Sequence, residues 1–417
     1  MKIDKLNNIE QTNKYALILI SAYIIFEYGR PSWFQPFHLQ TITLGLIIIA
    51  LIFPMKINIK ERTVIYATCF IIYCALHVPF ARNNYWAYMA TVMSIENIVG
   101  LLGFAFLMRN YREYKKMLIV WMLSMSILAM IGIIYHGGVP ASSYMGDEND
   151  FALAMNIVLP FGYFAMIQQE SKIKKIILFV VTMIYILANI SSFSRGGFVG
   201  LLPVVIYCWY RTENKIKYTI VLGIIIAGVM ILFAPKGYWD EIKTIIEEKQ
   251  EESTSELRLY YWECGWRMFK DNLLFGVGPG NFPWNIAYYE NEEGKYGRFH
   301  GSRPAHSIYF TLLPELGLIG TIIFCLLIAE VLKNRRWMLK RIRENMSRNN
   351  KKKQNNDLKE FKYVLYAIDA SMIAYFFTGI FLSVLYYPWL WTLIGMSLGL
   401  KIIMTDWIKN NQMILVT

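Results

Sequence analysis

Lys172-Ile-Lys-Lys-Ile-Ile-Leu-Phe-Val-Val-Thr-Met-Ile-Tyr-Ile-Leu-Ala-Asn-Ile190 decides the fold of this 417-residue chain. Three lysines lead into a run that carries no charge from Ile176 to Ser194. A bilayer core takes about 20 apolar residues per helix, so residues 175–193 read as a membrane span. Ser191-Ser-Phe-Ser-Arg195-Gly-Gly197 follows, and a second apolar run, 196–210, begins at once. The chain therefore leaves the bilayer and re-enters it with almost no loop, and Arg195 stands at that boundary.

The same alternation extends in both directions. Spans are expected near 15–28, 39–55, 62–81, 85–108, 117–135, 151–169, 175–193, 196–210, 217–234, 305–331, 362–382 and 385–405. The fold class is an all-α polytopic membrane protein of about 12 transmembrane helices with one long helical extracytoplasmic loop. Composition agrees: 56% of residues are hydrophobic and 17% charged, against about 25% charged in soluble domains. Lys2, Lys5 and Lys14 precede the first apolar run, and no small-residue cleavage site follows it, so it reads as an uncleaved span. The formal net charge of +12 is carried in short runs between apolar segments, which points to membrane loops and away from nucleic acid. The five cysteines form no CxxC or Cys/His cluster, so no metal or redox centre is expected. Walker A, Rossmann and HExxH patterns are absent, and no cofactor is implied.

Basic loops fix the expected orientation. Lys56, Lys60 and Arg62; Arg109, Arg112, Lys115 and Lys116; Lys172, Lys174 and Lys175; Arg211, Lys215 and Lys217 all fall in alternate connections. The positive-inside rule places these and both termini in the cytoplasm. The chain then divides into spans 1–9 over 1–234, an extracytoplasmic loop over 235–304, and 305–417, with the last three spans and a basic cytoplasmic loop at 332–361. Residues 349–356 read as a solvated linker. Long loops without a task are uncommon. In this one, Ser253 to Glu256 has the spacing of a capping box, and Leu257, Tyr260, Tyr261, Cys264 and Met268 share one helical face. Arg258, Trp262, Trp266 and Phe269 share another, a pattern suited to a membrane surface.

Chemistry-bearing residues cluster toward the outward side. Arg195 is an interfacial cation, and such groups are paired, snorkel to lipid phosphate, or bind substrate. Arg258 on the loop helix reads by itself as a solvated surface charge. His306, in Arg303-Pro-Ala-His306-Ser307, is either a helix cap or a base, since imidazole titrates near neutrality. Glu315 follows Pro314, which is expected to kink the span, and reads as structural. Asp369 is a buried acid nearer the cytoplasmic side. Arginine forks bind phosphate oxygens, and a histidine can take a proton from a sugar hydroxyl.

Four ordered segments carry a resemblance: Gly146-Asp-Glu-Asn149-Asp-Phe-Ala152; Ser194-Arg195-Gly196-Gly197; Arg258 with Trp262, Met268-Phe269 and Asn272-Leu-Leu-Phe-Gly-Val-Gly-Pro-Gly-Asn-Phe282; and His306-Ser-Ile-Tyr-Phe-Thr-Leu-Leu-Pro-Glu315-Leu-Gly317-Leu-Ile-Gly320. Over about 140–320 the chain resembles the O-antigen ligase superfamily, which includes polysaccharide polymerases. The resemblance implies a GT-C-like, metal-independent, inverting glycosyltransferase of the bacterial cytoplasmic membrane, with its active site on the outer face. It also implies a donor glycan on undecaprenyl diphosphate and a glycan or lipid-linked glycan as acceptor. By position, Arg195 and Arg258 would hold the diphosphate and His306 would activate the acceptor hydroxyl. Arg303 and Arg82 are further candidates for substrate contact. Asn149 and Asp150 would shape the site or cap a helix, and Gly196 and Gly197 would allow close packing. The competing expectations are a transporter of a small anion or lipid-linked glycan, and a non-catalytic envelope scaffold.

Overall fold

The computed structural model describes residues 14–29, 37–53, 57–135, 137–139, 144–213, 215, 254–290, 302–348 and 352–413. Among them helix is the one kind of regular secondary structure. α1 covers 14–24 and ends in a π-helical turn, Ile25–Gly29. Then come α2 (Leu39–Ile52), α3 (Arg62–His77), α4 (Asn84–Phe106), α5 (Tyr111–Ile134), α6 (Glu148–Gln168), α7 (Lys172–Ser191) and α8 (Arg195–Arg211). The loop contributes α9 (Thr254–Asp271) and the single turn α10 (Phe282–Asn285). α11 (Ile308–Arg348), α12 (Lys352–Thr378) and α13 (Pro388–Met413) complete the bundle.

Helices occupy eleven of the twelve expected span positions, and the remaining one, 217–234, lies outside the described residues. Among the described residues seven helices are long and apolar enough to cross a membrane: α4, α5, α6, α7, α11, α12 and α13. α2, with 14 residues, rises only about 21 Å, short of a hydrocarbon core of about 30 Å. α6 and α13 are central, with 78% and 83% of their apolar stretches buried, whereas α7, at 22%, is peripheral.

Two expectations need correction. The basic stretch at 332–361 is mostly helix: α11 runs on to Arg348 and α12 begins at Lys352, so part of the expected solvated linker is also helical. Charged residues continue a helix beyond its apolar portion because they snorkel freely and carry good helix propensity. The break in α11 is at Gly317, three residues after Pro314, with φ 60° and ψ −165°. Only glycine occupies that region without strain.

The break is filled by the loop. Val277 N and Gly278 N donate to the Pro314 and Glu315 carbonyls at 2.9 Å, while Leu318 N and Ile319 N donate to the carbonyls of Leu273 and Leu274. The Tyr73 hydroxyl lies 2.8 Å from the Leu316 carbonyl and 3.0 Å from that of Phe275. The Glu315 carboxylate accepts from Gly280 N at 2.7 Å, Phe282 N at 3.0 Å and the Tyr386 hydroxyl at 2.7 Å. A broken span frees backbone groups that a low-dielectric surrounding penalises, and here the loop satisfies them. Asn281, fully buried, ties the same loop to Asn83 at the start of α4.

α9 does not present its apolar face to open surface. Tyr260, Tyr261, Cys264 and Met268 pack with Phe282, Ile286 and Ala305 into a small separate core. The expected helical face is the observed one. Ser253 lies outside the described residues.

Candidate active site

The N-terminal ends of α6 and α8 are locked together. Asp147 caps α6, accepting from Asn149 N at 2.8 Å. Ser194 caps α8, accepting from Gly197 N at 2.9 Å and donating to Asn149 Oδ1 at 2.7 Å. Below this joint, Asn156 Nδ2 donates to the Gly197 carbonyl at 2.8 Å, and Asn189 Nδ2 donates to Asn156 Oδ1 at 3.0 Å. A Cβ on Gly197 would lie 2.4 Å from that of Ala152, so the approach of α8 to α6 requires glycine. Phe193, at φ 53°, makes the turn that sets Arg195 on the first residue of α8, where the side chain is exposed.

α9 brings Arg258 to the same place. Its guanidinium stands 6.0 Å from the centroid of the Phe381 ring, and Phe381 also packs over Gly196. Trp262, one turn along α9, stacks on Phe310 at 5.3 Å and donates its indole N–H to the Ala305 carbonyl at 3.0 Å. That bond holds the residue before His306. His306 itself is half-buried, with φ 47°, the left-handed region in which a non-glycine residue stores strain of roughly 1–3 kcal/mol.

Electrostatics show which groups converge. Burial lowers the His306 pKa below its ordinary value, the Arg258 and Arg303 charges lower it further, and Asp147 opposes them. Burial also lowers the Arg258 pKa, with Arg195 adding to the effect and Asp147 again opposing. Arg258 therefore feels Arg195 and Asp147, and His306 feels Arg258, Asp147 and Arg303. Among the described residues no carboxylate lies within ion-pair distance of Arg195, Arg258 or Arg303. An imidazole so placed is biased toward its neutral form, the form that accepts a proton.

The other candidates sit apart from this cluster or under it. Asn149 faces Ser194, and Asp150 accepts from the Tyr387 hydroxyl at 3.2 Å. Arg82 is elsewhere: its guanidinium lies 3.9 Å from the Tyr288 centroid, on a cavity of about 670 Å³ lined also by Tyr73, His77 and Phe275. No member of the cluster lines that cavity. Sequence reasoning missed Asp147, although it stands inside the 146–152 motif, and missed Phe381, Tyr386 and Tyr387 altogether. Asp147 carried one usable signal, an acid two residues before Asn149. The aromatic residues carried none beyond proximity to a span end. Among the described residues no group of His, Cys, Asp and Glu is arranged to hold a metal ion.

The fold is that of a multi-pass helical membrane protein, with a group of cations and an imidazole near the N-terminal ends of α6 and α8, α9 and the start of α11. Residues 178–325, which include Arg195, Arg258 and His306, match the family described as O-Antigen ligase. The resemblance drawn from the motifs is shown over that segment, and the 146–152 motif lies outside it. Among curated proteins none matches the chain.

Proposed function

We propose that the chain transfers a glycan from undecaprenyl diphosphate to an acceptor sugar hydroxyl at the outer face of a bacterial cytoplasmic membrane, as a surface-polysaccharide ligase or polymerase. The observation that carries this reading is the convergence of Arg195, Arg258 and His306, from three separate segments, with no carboxylate paired to either arginine among the described residues. A pool of unneutralised guanidinium groups suits a diphosphate, whose negative charge grows as the glycosidic bond breaks. Arg195 adds the positive end of α8 to that field.

In this mechanism neutral His306 takes the proton of the acceptor hydroxyl. The freed oxygen attacks the anomeric carbon from the face opposite the diphosphate. The bond from that carbon to the diphosphate oxygen breaks, and its electron pair leaves with the lipid diphosphate. Displacement from the opposite face inverts the anomeric configuration. Asp147 stabilises the imidazolium, and Arg303 extends the cationic surface toward the incoming glycan.

Transport of a small anion or lipid-linked glycan is the second reading, because a broken span such as α11 is a transporter feature. The polar groups freed at that break are occupied by the loop, which weighs against an ion or substrate there. The test expresses wild type, Arg195→Ala, Arg258→Ala and His306→Ala in a host lacking its own surface-polysaccharide ligase and polymerase, with a donor glycan supplied. High-mass glycan from wild type, and lipid-linked precursor accumulating with His306→Ala at equal membrane abundance, is the expected result. Wild-type product from all three variants would rule out the proposed site.

A further inference from the structure

We propose that a crevice at the basic end of the bundle binds one anionic phospholipid, its headgroup against the first turn of α7 and an acyl chain between α5 and α7. The crevice has a volume of about 440 Å³, room for a single acyl chain, and opens between α5, α6, α7 and α12. Its walls are apolar, with Leu118 and Met122 from α5 facing Leu178 and Val181 from α7. Its mouth is polar, formed by Lys115, Lys174 and Gln168.

Charge at this mouth is accumulated against local preference. The first turn of α7 carries Lys172, Lys174 and Lys175 and no acid, and Ser171 makes no side-chain cap bond. Helix N-termini favour anions, so three cations add to the positive end of the helix dipole. Among the described residues none of the three lysines has a carboxylate within ion-pair distance. Lys115 across the mouth is partly neutralised by Glu360 at 2.8 Å. The Gln168 Oε1 atom is buried without a hydrogen-bond partner, so it can accept from a headgroup hydroxyl. α7 is also the least buried of the long spans, which leaves the crevice open to lipid. A phosphodiester at the lysines with a chain along the apolar walls satisfies the charge, the orphan acceptor and the groove together.

The test is native mass spectrometry of the purified full-length chain, offered equal amounts of phosphatidylglycerol and phosphatidylcholine. Wild type is expected to retain phosphatidylglycerol preferentially. Lys172→Gln, Lys174→Gln and Lys175→Gln together are expected to remove that preference, each lysine contributing about fivefold. These side chains lie at the surface, so folding persists, and size-exclusion behaviour checks this. Leu178→Trp, which fills the groove without changing charge, is expected to reduce retention of both lipids. Equal retention of the two lipids by wild type, or an undiminished preference in the triple variant, would overturn the proposal.

Discussion

The two ends of the bundle treat the charges between their helices differently. At the basic end, acids that join one helix to another are paired. Asp369 accepts from Arg335 Nε at 2.5 Å and from the Tyr207 hydroxyl at 2.6 Å, and Lys401 meets Glu61 at 2.8 Å. At the loop end, Arg258 feels Arg195, His306 feels Arg258 and Arg303, and Asp147 is the one acid opposing them among the described residues. Such pairs hold helices in register, while the lysines in the first turn of α7 at the same end have no carboxylate partner among the described residues. Like charges held together oppose folding, a cost that the diphosphate of the proposed donor would offset. The same contrast appears in the backbone. α12 runs unbroken past Asp369, whereas α11 breaks at Gly317 and recruits the loop to satisfy what the break exposes.

The sharpest way to break this comparison is at the loop end. His306→Ala should lower product formation by about 10² to 10⁴, the range for loss of a general base, at unchanged membrane abundance. A full-rate variant would reduce the cluster to a structural feature. The converse holds at the basic end. Asp369→Ala leaves the half-buried Arg335 guanidinium without its partner and should cost about 3 kcal/mol, the low end of the range for buried pairs, read as a fall in thermal midpoint. Combining it with Arg335→Met should recover most of that loss, and turnover per folded molecule should stay near wild type throughout. If turnover falls with the Asp369 pair, the two ends are coupled in function.

A smaller effect sits between them. Tyr386→Phe removes one of three donors to the buried Glu315 carboxylate and should destabilise by about 1–3 kcal/mol, measured by thermal unfolding in detergent. The smallest effect is in the pH profile. Because burial and Arg258 hold the His306 pKa below its ordinary value, activity should be flat near pH 7 and fall only in acid, as the imidazole takes up a proton. Asp147 favours that proton. Asp147→Asn should therefore move the acid limb to lower pH, and a shift to higher pH would show that Asp147 does not face the imidazole.

Legibility followed the range of the forces involved. Hydropathy located helices at eleven span positions, because each must be apolar whatever its neighbours are. The face of α9 formed by Tyr260, Tyr261, Cys264 and Met268 was readable from 3.6-residue spacing, though not that it would pack on Phe282 and Ile286. Arg195, Arg258 and His306 were legible as residue types in ordered motifs. Arg82 was a further candidate for substrate contact, and it lies on Tyr288 by a different cavity, since nothing along the chain reports which side of the loop a surface cation faces. Gly317 was visible as a glycine, but Pro314 three residues earlier was the stronger local signal for a kink.

By itself the sequence determined that this chain is a bundle of apolar helices, which ends of those helices are basic, and which few polar residues stand at their boundaries. Those properties are local: transfer to lipid and helical periodicity act residue by residue. Tertiary structure alone decided that α11 breaks at Gly317, that Glu315 is spent on binding the loop, and that Asp147 joins Arg195, Arg258 and His306 while Arg82 does not. Each of these rests on hydrogen bonds and charge interactions between segments tens to hundreds of residues apart. Such contacts depend on how the helices pack, and no short stretch of chain encodes that by itself.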